Sequence, residues 1–233
     1  MTERPMLFSA PMVRGLLNDT KTLTRREIKP QPYDESADGA CWLDIDARHQ
    51  WAWHCGEDQD ILPNERPFFC PYGQPGDRLW VRETFIDLRG TGVEHRPTPS
   101  SPLQRYAYAA DHQAGSAGDE ARKEYGLKWK PSIHMPRTAS RITLEITGVR
   151  VERLQEISEA DAIAEGIERS YDQWRDYRTD QAVNYPSAAT PIESYRTLWE
   201  SINGPSFWDA NPWVWVVEFK RLDQQAKFGG TAS

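Results

Sequence analysis

The chain has few of the features that mark secreted, membrane-spanning or DNA-coating proteins. Its three cysteines are an odd number among 233 residues and include no Cys-x-x-Cys pair, which argues against a disulfide framework. We find no signal peptide and no long apolar run, so we expect a cytoplasmic protein with no membrane association. The net charge of −7 argues against broad binding of duplex DNA, because such binding needs a basic face.

The sequence also lacks a convincing metal motif. Cys41, Cys55 and Cys70, together with His49 or His54, supply enough sulfur and nitrogen ligands for a zinc ion. Their spacing is too loose to predict such a site, and ordinary thiols are the simpler interpretation. We therefore expect neither a metal nor another cofactor.

Length and composition predict one domain with long insertions. A chain of 233 residues can bury a sizeable core and is short enough for a single domain over residues 1–223. Three segments are rich in polar and turn-forming residues and read as insertions, at about 30–70, 86–130 and 168–190. Residues 224–233 read as a disordered tail.

A dense polar hexad near the start is the most informative feature that the sequence does have. Lys21-Thr22-Leu23-Thr24-Arg25-Arg26 combines three cations with two hydroxyls. It directly follows residues 10–17, whose apolar side chains recur at helical spacing. The composition of the hexad favours contact with an anionic or polar ligand, whereas a solvated turn leading into a strand is the ordinary alternative.

The remaining periodic segments alternate between strand and helix. A Pro-Gly turn precedes an alternating strand over 78–84, and a longer half-buried strand spans 141–154. Ser158 is a helix N-cap, and Gly166 ends that helix. A second helix spans 192–202, and an apolar strand at 211–219 closes the chain.

These segments resemble the ASCH family. Residues 19–26 are similar to its Gly-x-Lys-Thr type motif, with Asp19 where the family usually has Gly, and the order of elements over 75–84 and 130–220 is similar too. The resemblance implies an α/β (α+β) fold, a PUA-like β-barrel with flanking helices and large loop insertions. It is closest to the longer ASCH-like proteins of phage and prophage genomes.

Some small ASCH proteins are amidohydrolases that deacetylate N4-acetylcytidine, and the resemblance extends to their catalytic positions. It implies catalytic roles for Lys21, Thr24 and Glu165. A threonine hydroxyl needs a nearby base to act as a nucleophile, and a desolvated lysine can supply one. Glu165 would orient the lysine or carry a proton to the leaving amine, although a glutamate just before a helix-ending glycine is commonly a solvated surface residue.

Two other functions fit the same resemblance. A PUA-like barrel can bind RNA or a modified base without catalysis, and some ASCH proteins are ribonucleases, for which Lys21 and His134 would be the acid and base. The expected ligand is a modified cytidine nucleoside or a short single-stranded RNA. The residues that we predict to bind it are Arg25, Arg26, Trp80, Arg82, Glu83, His134 and Arg137.

Overall fold

The fold is built from helices and strands in mixed order along the chain. The computed structural model describes residues 1–31, 41–46, 49–55, 68–94, 99–100, 103–112, 114–170, 172–178 and 187–222. The four α-helices among them are α1 (Ala10–Leu17), α2 (Ala117–Glu124), α3 (Glu159–Ala164) and α4 (Pro191–Asn203). The strands are β1 (Glu3–Leu7), β2 (Leu23–Glu27), β3 (Cys41–Ile45), β4 (Trp51–Cys55), β5 (Arg78–Arg82), β6 (Phe85–Asp87), β7 (Tyr106–Tyr108), β8 (Thr143–Arg153), β9 (Arg169–Ser170), β10 (Gln173–Arg175), β11 (Ser187–Ala188) and β12 (Trp213–Leu222).

The main sheet has five strands in the order β1-β5-β8-β12-β2. Strands β1 and β5 run parallel, and every other neighbouring pair is antiparallel. The parallel pair requires a crossover, because strands that run in one direction cannot be joined by a tight hairpin. The intervening chain contains α1, β2 and the β3–β4 hairpin, so the crossover carries the polar hexad to the far edge of the sheet.

The sheet is covered on both faces, and β12 shows why. Its side chains alternate between two apolar clusters: Trp215 and Val217 pack with α1 and β1 on one face, whereas Val214 and Val216 pack with α3 and α4 on the other. Successive side chains of a strand point to opposite faces. A strand that is apolar on both faces must therefore lie between two packed layers.

The two edge strands approach each other at one end. A guanidinium N–H of Arg26 in β2 donates to the backbone oxygen of Leu7 in β1 at 2.6 Å, and the Arg26 guanidinium stacks over Phe8 at 5.5 Å. The sheet is thus curled, because its first and last strands meet through a side chain. Within the described ranges, backbone hydrogen bonds do not close the sheet into a barrel.

The mixed α/β class and the main periodic elements are confirmed. The predicted helix over 10–17 and the strands over 78–84, 141–154 and 211–219 correspond to α1, β5, β8 and β12. The structure adds elements inside the predicted insertions, namely α2, the β3–β4 hairpin and the three short strands β9 to β11. The predicted tail at 224–233 lies outside the described residues, as do 32–40, 56–67 and 179–186 of the insertions.

The described helices are short. The longest, α4, has 13 residues, whereas a span of a bilayer needs about 20 predominantly apolar ones. No helix in the described part of the chain is long and apolar enough to cross a membrane.

Candidate active site

Helix α3 ends at the edge strand β2 and presents Glu165 there. Ser158 caps the helix, since its hydroxyl accepts from the backbone N–H of Asp161 at 3.1 Å. Gly166 follows Glu165 with φ +81°, a backbone conformation that glycine adopts without strain. The turn directs Glu165 inward, and only 2% of this residue is exposed, so the sequence-based alternative of a solvated surface glutamate is wrong.

Lys21 meets Glu165 at the start of β2. The two residues form an isolated antiparallel bridge, and the neighbouring N–H of Thr22 donates to the oxygen of Ala164 at 2.9 Å. Two glycines make room for the lysine: a Cβ on Gly15 would lie 3.1 Å from Lys21 Cβ, and one on Gly166 would lie 2.8 Å from it. Backbone pairing and two missing side chains therefore bury Lys21 to 2% exposure.

The Glu165 carboxylate lies at the centre of the buried hydrogen bonds. Lys21 Nζ donates to Glu165 Oε2 at 2.5 Å and to the Glu165 backbone oxygen at 2.7 Å, while the Arg25 N–H donates to Oε1 at 2.6 Å. Tyr195 in α4 lines the same cavity as Glu165, close enough for the carboxylate charge to raise the pKa of its hydroxyl. Among the described residues, two of the three N–H bonds of the Lys21 ammonium therefore point at Glu165. The third position carries a proton in the charged form and a lone pair in the neutral amine.

Burial changes the acid–base properties of these groups. Desolvation lowers the pKa of the Lys21 amine below its ordinary value, although the charge and hydrogen bond of Glu165 act in the opposite direction. Desolvation also raises the pKa of Tyr195 well above its usual range, and the adjacent Glu165 carboxylate adds to the shift. Tyr195 is therefore a neutral hydrogen-bond donor, whereas Lys21 is closer to losing its proton than an exposed lysine.

A small cavity of about 60 Å³ adjoins Glu165, whereas Lys21 is not one of the residues that line it. Glu165 and Thr24 form part of its wall, and Thr24 is only 1% exposed. Such a volume holds a few water molecules or a small organic group. The other lining residues come from α1, β2 and α4: Met12, Arg25, Arg26, Glu27, Tyr195, Leu198, Trp199, Ile202 and Asn203.

A network of ion pairs fixes α3 against the sheet. Asp161 Oδ2 of α3 lies 2.7 Å from Arg25 Nη2 in β2 and 2.5 Å from Arg150 Nη2 in β8. Glu152 pairs with both arginines as well, at 3.0 Å from Arg25 Nη2. The Arg25 side chain is fully buried, so this network joins three elements and sets the position of the helix that carries Glu165.

The other predicted binding residues surround β5 instead. Arg82 and Arg137 stack on the half-buried Trp80 ring, at 5.4 and 5.9 Å, and His134 is exposed in a short turn nearby. Glu83 is buried in a bidentate pair with Arg141, with N–O distances of 2.9 and 3.1 Å. None of the five predicted residues lines the cavity. The structure brings together Lys21, Thr24, Arg25, Arg26 and Glu165.

Two aromatic residues of this site were missed by the sequence analysis. Tyr195 and Trp199 lie one turn apart on α4 and both line the cavity. The helix was predicted from its apolar periodicity, and large aromatics on an apolar face ordinarily pack in a core. Only the tertiary structure shows that this face of α4 lines the same cavity as Glu165.

The chain matches no protein-family model, no curated protein and no solved structure. Its site must therefore be interpreted from its own chemistry. A buried lysine–carboxylate pair with a threonine and a small cavity beside the carboxylate is suited to moving a proton to or from a small bound group.

Proposed function

We propose that the protein is an ASCH-type amidohydrolase that removes the acyl group of N4-acetylcytidine or a related N4-acylated cytosine nucleoside. The observation that supports it is the proximity of Glu165 to Lys21 and Thr24, which lie more than 140 positions earlier in the chain. Lys21 and Glu165 are in direct contact, and Glu165 and Thr24 line the same cavity. The family resemblance alone assigned these three residues a common task, and their proximity supports that assignment.

Thr24 is the nucleophile in this proposal. Its Oγ1 attacks the acyl carbonyl carbon and its proton passes to the neutral amine of Lys21, so that a C–O bond forms. The C–N4 bond then breaks, and the same proton reaches the departing N4 of cytosine through Lys21 or Glu165. Water hydrolyses the acyl-threonine, which releases acetate and restores the threonine hydroxyl.

The size of the cavity restricts which part of the substrate enters. About 60 Å³ accommodates a group of a few heavy atoms, which suits an acetyl group. The acyl group would enter between β2 and α4, and the base and ribose would remain outside. A polymeric substrate is compatible with that arrangement, so both the nucleoside and a short single-stranded RNA are candidate ligands.

The fold proposal extends the same resemblance. We infer a PUA-like barrel whose sheet curls until β1 and β2 approach each other. The contact from Arg26 to the backbone of Leu7 supports it, because this contact joins the two edge strands. The Arg26 side chain would then substitute for a missing backbone ladder at one end of the barrel.

Chromatography of a deacetylation reaction tests the proposal. Purified protein is incubated with N4-acetylcytidine, and with an RNA that carries this base, while cytidine and acetate are followed. We expect turnover that falls by orders of magnitude in Thr24→Val, which keeps the shape of the side chain and removes its hydroxyl. No turnover of either substrate would contradict the proposal.

The lysine variant needs a matched control. Lys21→Ala should also abolish turnover, whereas Lys29→Ala, which removes an exposed lysine from the same region, should retain it. A far-ultraviolet circular dichroism spectrum and a melting curve establish that each variant is folded. Full activity in folded Lys21→Ala would exclude this lysine as the base.

A binding module is the second candidate, and the surface around Trp80 favours it. Two guanidinium groups stack on a half-buried indole there, a combination found where proteins bind single-stranded nucleic acid. Saturable binding of a short RNA without product formation, lost in Trp80→Ala, would support this function. Cleavage of the RNA chain would instead support a ribonuclease.

A further inference from the structure

The cavity wall carries several buried donors without a hydrogen-bond partner. Trp199 Nε1, Arg26 Nε, and both Nε and Nη1 of Arg25 have no partner among the residues that the structure describes. All three residues line the same cavity. Buried polar groups in proteins are nearly always hydrogen-bonded, since an unsatisfied one costs about 1–3 kcal/mol. An unsatisfied indole N–H on a residue that lines a cavity points to a ligand that accepts its hydrogen bond.

These unsatisfied groups share one chemical property. An indole N–H and a guanidinium N–H only donate hydrogen bonds, so they select a ligand that accepts. Arg26 strengthens this preference, because within the described ranges it contacts a backbone oxygen and an aromatic ring and forms no ion pair with a carboxylate. The matching ligand atom is an oxygen that is negative or becomes negative during a reaction.

Trp199 is well placed to contact that oxygen. It lies four residues after Tyr195 on α4, and residues at this spacing share one face of a helix. Tyr195 and Glu165 line the same cavity, so the indole lies one helical turn further along its wall. Trp199 is only 6% exposed, and a hydrogen bond from a buried donor is strong because water does not compete for it.

We propose that the indole N–H of Trp199 binds the carbonyl oxygen of the acyl group. The choice of an acyl carbonyl rests on the proposed function, whereas the selection of an acceptor oxygen rests on the donors alone. During hydrolysis this oxygen takes up negative charge, and a fixed donor stabilises it most at that stage. Trp199 thus becomes a catalytic residue, and α4 supplies the oxyanion contact.

Nuclear magnetic resonance of the indole groups tests the contact without any turnover. In protein labelled with ¹⁵N-tryptophan, the Trp199 signal is the one missing from Trp199→Phe. Acetate, the product of the proposed reaction, is the probe, with acetamide as its neutral counterpart and sodium chloride as the salt control. We expect a saturable downfield shift of the Trp199 indole proton with acetate or acetamide, and none with chloride.

Trp199→Phe gives the second readout. Phenylalanine keeps an aromatic ring in the wall but donates no hydrogen bond, so the probe should bind about tenfold more weakly, the equivalent of roughly 1.4 kcal/mol. Trp208→Phe is the matched control, because Trp208 is equally buried in the same apolar cluster and does not line the cavity. It should bind the probe as the wild type does.

The outcomes separate this inference from the proposed function. A Trp199 indole signal that does not move at hundred-millimolar acetate and acetamide would overturn the inference, as would unchanged probe binding by Trp199→Phe. A saturable shift in a protein that does not deacetylate N4-acetylcytidine would retain the acceptor site and reject the amidohydrolase. Turnover that survives unchanged in Trp199→Phe would retain the amidohydrolase and reject the oxyanion contact.

Discussion

Lys21 Nζ lies 2.5 Å from Glu165 Oε2, and both side chains are almost fully buried although 144 positions separate them in the chain. Desolvating two charges is costly, and their mutual attraction repays that cost only while both are present. The pair is therefore a point where stability and chemistry depend on the same two groups.

Removing one partner of this pair should destabilise the fold strongly. Glu165→Gln leaves the Lys21 ammonium buried beside a neutral amide, and we expect a loss of about 3–5 kcal/mol in the free energy of unfolding. Urea denaturation at neutral pH measures it. The double variant Lys21→Met/Glu165→Gln should recover part of the loss, because it also removes the unpaired charge.

The pair between Lys29 and Glu27, which has one partner in solvent, is the control for that measurement. The Lys29 side chain is 76% exposed and that of Glu27 is 20% exposed, and a pair whose lysine is solvated contributes at most about 1 kcal/mol. Glu27→Gln should therefore change the stability little. A Glu165→Gln variant that is no less stable than Glu27→Gln would show that the buried pair is not a structural requirement.

Gly166→Ala should be more harmful than the same change at a matched position. Gly166 and Gly126 both directly follow the C-cap residue of a helix and both have positive φ, +81° and +65°. A Cβ on Gly126 meets nothing within 4 Å, whereas one on Gly166 would lie 2.8 Å from Lys21 Cβ. We expect a loss of about 1 kcal/mol for Gly126→Ala from backbone strain and about 2–4 kcal/mol for Gly166→Ala, because the clash adds to it. Thermal denaturation compares the two, and equal losses would contradict the close packing of Lys21.

Asp77 should make the stability depend on pH in the acid range. Partial burial would raise its pKa, but hydrogen bonds from the Thr2 and Gln74 backbone and from Arg4 outweigh it and lower the pKa to about 2, against an ordinary value of 3.8. A carboxylate with a lowered folded-state pKa stabilises the fold above its unfolded-state pKa, and this contribution is lost as the pH falls towards 2. The shift corresponds to about 2 kcal/mol.

Asp77→Asn should therefore be less stable than the wild type by about 2 kcal/mol at pH 7, with a difference that shrinks from pH 4 to pH 2. Denaturant titrations at several pH values measure it. Asp209→Asn, in which the original side chain is 71% exposed, should change stability by no more than about 0.5 kcal/mol. A difference between Asp77→Asn and the wild type that is constant over this pH range would exclude the carboxylate charge as its cause.

The sequence predicts the secondary-structure elements better than it predicts how they pack against one another. Strand β12 and helix α4 follow from apolar periodicity, which is a local property. Helix α2 was missed because it is polar along its length and has no apolar periodicity; it begins at Ser116, whose hydroxyl accepts from the Asp119 N–H. The β3–β4 hairpin was missed because its segment lies between two stretches rich in Pro, Gly and Asp, at 30–39 and 56–67.

The candidate site was predicted only in part, because the sequence does not show which elements pack against one another. Lys21, Thr24 and Glu165 could be selected only through a family resemblance, since no spacing rule links residue 21 to residue 165. Trp80 and His134 were grouped with them because the strand order was unknown, and two strands separate β5 from β2 in the sheet. Trp199 was beyond prediction, because its unpartnered N–H is a property of the packed wall.

The rate of deacetylation should rise with pH if Lys21 is the base. Only its neutral amine accepts a proton, and burial lowers the Lys21 pKa below the ordinary lysine value of 10.5. The rising limb of kcat/KM should therefore lie below that pH and report the Lys21 pKa in the free enzyme. Glu165 acts against the shift through its charge and hydrogen bond, so Glu165→Gln should lower this pKa further and move the limb to lower pH while reducing the maximum rate.

Thr24→Ser keeps a hydroxyl and both charges, and should leave the position of the limb unchanged. Initial rates on N4-acetylcytidine, corrected for its uncatalysed hydrolysis in each buffer, give the three profiles; a limb that moves to higher pH in Glu165→Gln would show that a group other than Lys21 accepts the proton.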